Sequence, residues 1–159
     1  MTGTADHSSE EPRLARNFRM TRWRRLGDRL MGLLIRLDVV PGSYLLSIRG
    51  RKSGLMRTTP VTLVEEAGWR WLVAPYGVVS WVRNARAAGR VTLRHGRRVE
   101  VLSIREASAE EAGPVLKQYL AVTGPPRAYF RATKDSPVEQ FVAEAGLHPV
   151  FELLATQPD

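Results

Sequence analysis

The sequence predicts an α+β fold: a small antiparallel barrel of about six short strands, flanked by helices, with an amphipathic helix in front. Three observations predict it. Short runs of alternating apolar and polar residues recur through the middle of the chain and are joined by tight turns. Most consecutive strands have no helix between them, which a doubly wound parallel sheet would require. Helix signals with recognisable ends stand at the front, in the middle and towards the back. No Gly-x-Gly-x-x-Gly opens a helix, which argues against a nicotinamide-binding domain.

The chain has 159 residues, 43% of them hydrophobic, which suits one domain able to bury a core. We read residues 1–12 as a disordered terminus, 13–154 as one domain and 155–159 as a tail. With no cysteine there is no disulfide framework and no thiolate metal site. His7, His95 and His148 stand far apart, without ligand-like spacing, so no metal is expected. The net charge of +8 is unevenly placed. Eight arginines and one acid fall in residues 13–36, whereas the chain from Glu106 onward carries eight acids and four bases. A basic first part points to an anionic partner.

Residues 14–37 form the clearest helix. Trp23, Leu26, Leu30, Leu33, Leu34 and Leu37 recur as one apolar stripe, with arginines on the remaining face. Such a helix packs on its own barrel or lies against an anionic membrane surface, and both readings stay open. The order of a secretory signal is lacking, and nothing approaches the ~18 apolar residues of a span. The expected location is the cytoplasm, with peripheral contact at the inner face of the plasma membrane as the alternative. Strands follow at 44–49, 59–65 and 69–74. Ser80 is the expected N-cap of a helix over 81–88 that Gly89 ends. Residues 90–95 and 98–104 form a hairpin about Gly96-Arg97, in which Val91, Leu93, Val99 and Val101 alternate with polar partners and mark one buried face. Ser108-Ala109-Glu110-Glu111 is a capping box for a helix reaching Val122. Ser136-Pro137 repeats the signature for a helix ending at Gly146, and 148–154 is the last strand.

The chemistry concentrates between the first two strands, in Gly50-Arg51-Lys52-Ser53-Gly54-Leu55-Met56-Arg57. A hairpin needs only a two-residue turn, and this connection is longer, cationic and free of acids. Arginine forks match phosphate or carboxylate oxygens in pairs, and lysine adds a point charge. Ser53, Thr58 and Thr59 are neutral donors, and the glycines admit a ligand close to the main chain. The loop reads as an oxyanion site or as a solvated basic tip. It is not a Walker A loop. Pro60 marks an edge or a bulge.

That run, with Pro60, then Trp71-Leu72-Val73-Ala74-Pro75-Tyr76-Gly77 and Ser80-Trp81-Val82-Arg83-Asn84, resembles the deazaflavin-dependent nitroreductase family, split β-barrel oxidoreductases. The likeness runs roughly over residues 44–104. It implies the 8-hydroxy-5-deazaflavin coenzyme (coenzyme F-420) as hydride donor to a quinone or a nitro-substituted, electron-poor acceptor. It further implies that Lys52 and Arg57, with Ser53 and Thr58, hold the coenzyme's phosphate or oligoglutamate tail. Gly54 would let the main chain approach, and Pro60 would shape the strand beside the ring. Ala74 and Gly77 would line the ring edge. Trp81, with Ser80 and Asn84, would bound the pocket, and Tyr129 would sit on the substrate side. Tyr76 stands where family members studied for nitroreduction have a small hydroxyl residue. On the residues alone Arg83 and Asn84 read as solvated. Two other readings stay open: an FMN-dependent enzyme on the same barrel, and a basic β-barrel binding nucleic acid. Against the latter, cation and aromatic interleave along only one strand, at Trp69-Arg70-Trp71.

Overall fold

A computed structural model describes residues 42–156. The readings of residues 1–12, of the helix over 14–37 and of the last three residues lie outside them. The order is β1 (Ser43–Arg49), β2 (Met56–Glu66), β3 (Trp69–Val73), α1 (Ser80–Ala88), β4 (Arg90–His95), β5 (Arg98–Glu106), α2 (Ala109–Val122), a 3-10 turn (Pro125–Tyr129), α3 (Val138–Glu144), a second 3-10 turn (Ala145–Leu147) and β6 (Val150–Ala155). Every strand pairing is antiparallel, and the sheet closes in the order β1-β2-β3-β6-β5-β4. The expected α+β barrel with flanking helices is what forms.

Two cores hold it. The first fills the barrel: Leu46, Leu63, Leu72, Val91, Leu93, Leu102 and Phe151 point inward, and Val82 and Ala85 of α1 close over them. Fully burying each large side chain is worth about 1.5–3 kcal/mol. The second lies outside the barrel wall, where Val64, Val73 and Val150 meet Ala112, Leu116 and Leu120 of α2 and Phe141 of α3. Where they run under α2 and α3, β3 and β6 are therefore buried on both faces, at Leu72-Val73 and Val150-Phe151, and there both strands are apolar at consecutive positions. Among the described residues, β5 has no helix over its outer face. It alternates, and leaves Val99 and Val101 half exposed.

The element ends follow local chemistry, with three corrections. The capping box forms as expected: the Ser108 hydroxyl accepts from Glu111 N, and the Glu111 carboxylate accepts from Ser108 N. Arg105 donates to Glu111 and to the buried Glu152, tying α2 to the sheet. Ser80, expected as a cap, is instead the first residue of α1. Val79 is the cap, and no side chain caps that end. Ser136 does not cap α3 either. Its hydroxyl accepts from Thr133 N at 2.9 Å, Pro137 takes the cap position in extended conformation, and the helix opens at Val138. α3 also ends early, at Glu144, and tightens into the 3-10 turn.

Candidate active site

The basic connection is shorter and better ordered than its composition suggests. β2 begins at Met56, paired with Arg49, which leaves residues 50–55 as the loop. Gly50 N donates to Leu55 O at 2.8 Å, and Gly54 N donates back to Gly50 O at 2.8 Å. Gly54 sits at φ +68°, where a side chain would be strained. The Ser53 hydroxyl accepts from Leu55 N at 3.3 Å, so it serves the turn itself.

One cation of the loop is spent inward. Arg51 donates from its main-chain N (3.2 Å) and its Nη1 (3.0 Å) to Oδ1 of Asn84 on α1. Asn84 is only 6% exposed, which corrects the reading of it as a solvated helix residue: it is the peg that pins the loop to α1. Lys52 and Arg57 are exposed and make no ion pair among the described residues. Thr58 is engaged on the strand, its hydroxyl 2.8 Å from that of Ser47.

Beside the loop the barrel wall has a gap. β3 pairs only with residues 63–66 of β2. Among the described residues, 56–62 therefore have β1 on one side and no strand on the other. Pro60 falls within this open edge, where its missing N–H leaves no partner unpaired. Where β3 stops, the chain turns through residues 74–77. Ala74 N donates to Pro149 O at 2.8 Å, and Gly77 N donates to Ala74 O at 3.2 Å. Gly77 holds φ +85°, and an added Cβ would lie 3.3 Å from Leu147 O. Two depressions, about 310 Å³ at the Glu65–Arg70 turn and about 170 Å³ between Arg86, Gly89 and Phe151, are shallow dents away from the basic loop. The open edge has better claim to a ligand, because it joins unused main-chain groups to unused cations.

The structure brings Tyr76 and Tyr129 together, ring centroids 4.8 Å apart and edge to face at 84°. Sequence spacing gave no sign of this. Trp81 turns instead towards the barrel core, its ring 6.1 Å from that of Phe151. Behind the tyrosines lie two residues that the sequence reading left without a role. Glu144 is buried and accepts from the main-chain N of Arg131 (3.0 Å) and Ala132 (2.6 Å). His148 is buried beside it, with Nδ1 2.8 Å from Pro75 O. A carbonyl can only accept, so Nδ1 carries the proton. Burial pushes the His148 imidazole below the usual histidine range, against the pull of Glu144. The i, i+4 spacing of Glu144 and His148 was the one sequence signal available.

The tryptophan pair tests the nucleic-acid reading. Trp69 and Trp71 stack on the outer face, centroids 6.3 Å apart. Arg70, between them, points the other way and is bound to Glu100 at 2.9 Å. Cation and aromatics do not share a surface. Among the described residues, no cluster of acidic or histidine side chains could hold a metal ion, and no helix is long and apolar enough to cross a membrane.

The family model described as F420H(2)-dependent quinone reductase matches residues 17–139. The chain belongs to that family. It is an oxidoreductase that transfers hydride from reduced coenzyme F-420 to a quinone. Two solved structures are similar to it. A protein described as a domain-swapped dimer is 27% identical, over 82% of this chain and 96% of that one, with a TM-score of 0.53. The F420-H2 dependent reductase FDR-A is 28% identical, over 71% and 94%, with a TM-score of 0.50. Atu2129 from Agrobacterium tumefaciens, 13% identical over 81% and 55% with a TM-score of 0.55, shares the fold alone. None of the curated proteins matches the chain. Membership in the quinone reductase family decides between deazaflavin and FMN in favour of the former, as the resemblance implied.

Proposed function

We propose that the coenzyme lies along the open edge of β2, with its anionic tail on Lys52 and Arg57 and its ring beside residues 74–77. The observation that carries this is the pinned loop and the strand it opens: Lys52 on a turn fixed by two main-chain hydrogen bonds and by Asn84, and Arg57 one residue into β2, both exposed and without an ion pair among the described residues. The residues present fit such a group. Cations answer the tail, the left-handed Gly54 lets the main chain approach, and the unpaired edge offers main-chain groups to a polar ring rim. Bound there, the reduced coenzyme supplies the hydride. The chain supplies placement. Lys52 and Arg57 anchor, Arg51 and Asn84 keep the anchor still, and Gly77 keeps the turn tight. Tyr76 and Tyr129 bound the acceptor side, where a flat quinone, or a nitro-substituted ring of similar size, rests against aromatic faces.

Binding of the oxidised coenzyme, followed by its own fluorescence, tests this reading. Wild type should bind in the micromolar range, and Lys52→Ala/Arg57→Ala should lose most of that affinity while folding normally. Equal binding by both proteins would sink the assignment of the anchor. We further propose that residues 14–37 bring the enzyme to an anionic membrane, where apolar quinones reside. Co-sedimentation with anionic vesicles, abolished when those residues are removed, is the expected outcome.

A further inference from the structure

We propose that Glu144 and His148 form a positioning pair for hydride transfer, a clamp between the two segments that carry Tyr76 and Tyr129. This rests on the placement of the coenzyme ring beside residues 74–77. The Glu144 carboxylate holds the main chain immediately after Tyr129, through the N–H groups of Arg131 and Ala132. The His148 imidazole holds the main chain immediately before Tyr76, through the Pro75 carbonyl. The two side chains meet at 3.5 Å between Nε2 and Oε2. Phe130 stacks on the imidazole, 3.8 Å between centroids and 15° between planes, and fixes the ring's orientation.

The polarity of the pair is hard to explain by packing. His148 is 3% exposed and Glu144 7%, in a neighbourhood of Phe130, Ala132, Phe141 and Ala145. A leucine would fill the imidazole's place with no desolvation cost. Moreover, Nε2 of His148 has no hydrogen-bond partner among the described residues: unprotonated, it can only accept and makes no bond to the Glu144 carboxylate 3.5 Å away, and a buried unpaired polar atom requires a reason. What the imidazole adds is one directed N–H at the Pro75 carbonyl, 73 residues away in the chain. That bond sets the height of the turn whose next residue is Tyr76, and Glu144 sets the matching height of the segment bearing Tyr129. Both settings bear on the edge-on geometry of the two tyrosines.

Three measurements decide the proposal. In the coenzyme-free protein, the ¹⁵N spectrum of the imidazole should show a protonated Nδ1 whose proton exchanges slowly; the Nε2–H tautomer overturns the clamp. Next, the isolated 8-hydroxy-5-deazaflavin chromophore, lacking the phosphate and oligoglutamate tail, reports on the ring site alone. His148→Leu, which keeps volume but no donor, should weaken chromophore binding about tenfold, the scale of one buried hydrogen bond. His148→Asn, whose amide can reach the position of Nδ1, should restore most of it. Finally, single-turnover hydride transfer to a soluble naphthoquinone should slow about tenfold or more in His148→Leu at saturating coenzyme and recover in His148→Asn. Wild-type binding and rates in His148→Leu, or equal losses in both variants with melting curves unchanged, overturn the proposal. The anchor is judged separately: Lys52→Ala/Arg57→Ala should weaken the whole coenzyme and leave the bare chromophore unaffected. Failure of that contrast counts against the binding mode, while the imidazole spectrum still judges the clamp.

Discussion

The two sides of the site are built in opposite ways. The basic side is a single six-residue turn, solvent-exposed, closed by its own main chain and held to the body through one asparagine. The aromatic side is assembled from Tyr76, Tyr129, Glu144 and His148, and it leans on the second core. The first binds by charge and gives little to stability. The second carries little net charge and is inseparable from the packing of α2 and α3. Anchoring and ring placement therefore depend on different parts of the fold, and they should fail separately.

The largest expected effect breaks the aromatic side through its support. Phe141 is fully buried between α3 and α2, so Phe141→Ala should cost about 3–5 kcal/mol of stability in denaturant unfolding. The folded fraction should keep its anchor on the tail. Next comes the basic side: Lys52→Ala/Arg57→Ala should raise the Kd of the whole coenzyme on the order of a hundredfold, at two charge-assisted contacts of about 1.5 kcal/mol each. The melting temperature should stay within a degree or two, since exposed unpaired cations stabilise little. A large fall in melting temperature would contradict the contrast drawn here. Asn84→Ala sharpens the comparison, because it touches the anchor only through its peg. Removing the acceptor leaves Arg51 N unpaired at a part-buried position, for an expected loss of about 1–2 kcal/mol in stability. A several-fold rise in the Kd of the coenzyme should follow, smaller than that of the double variant.

The smallest effect is on pH. His148 is held neutral by burial, with Glu144 the facing charged group. Its folded pKa lies below its unfolded value, so the unfolded chain takes up the proton first as pH falls. The stability tied to this residue is complete above about pH 6.5 and drains away below it. Thermal melts between pH 7.5 and 5 should show that decline, and His148→Leu should flatten it. Glu111, held down to about 2 by hydrogen bonds from Arg105 and Ser108, contributes fully above its ordinary pKa and loses that contribution in a lower window, as pH falls from there towards about 2. The two can thus be told apart.

What was legible in the sequence was local. The capping box at Ser108, the hairpin about Gly96-Arg97, the basic loop and the open edge at Pro60 all rest on neighbours within a few positions. The barrel itself was readable because alternation marks a strand, and on β4 it also marks the core face, through Val91 and Leu93; on β5 it misled, because Leu102 and Ile104 take the core side and Val99 and Val101, expected on the buried face, point outward and are half exposed. The contacts that define the site are long-range: Arg51 to Asn84 spans 33 residues, and Pro75 to His148 spans 73. Asn84 looked solvated because neighbours such as Arg83 and Arg86 are, and only the returning loop makes it an interior acceptor. Ser80 and Ser136 carried the residue type of a cap without its position, since backbone turns just before each helix had already set the start.

The place of β6 in the sheet has a consequence for how the molecule is made. It lies between β3 and β5 and comes last in sequence, pairing Trp71 with Glu152 and Ile104 with Leu153. Until it arrives, the growing chain is an open curved sheet with two raw edges, β3 and β5, and its outer apolar face has nothing to receive Val150. Helices α1 and α2 can form early from local contacts, but closure waits on the pairing of greatest sequence separation, the slow kind. A β6 from a second chain would offer those two edges the same hydrogen-bonding partners as the chain's own, so the order of strand arrival is where this topology is open to exchange between copies.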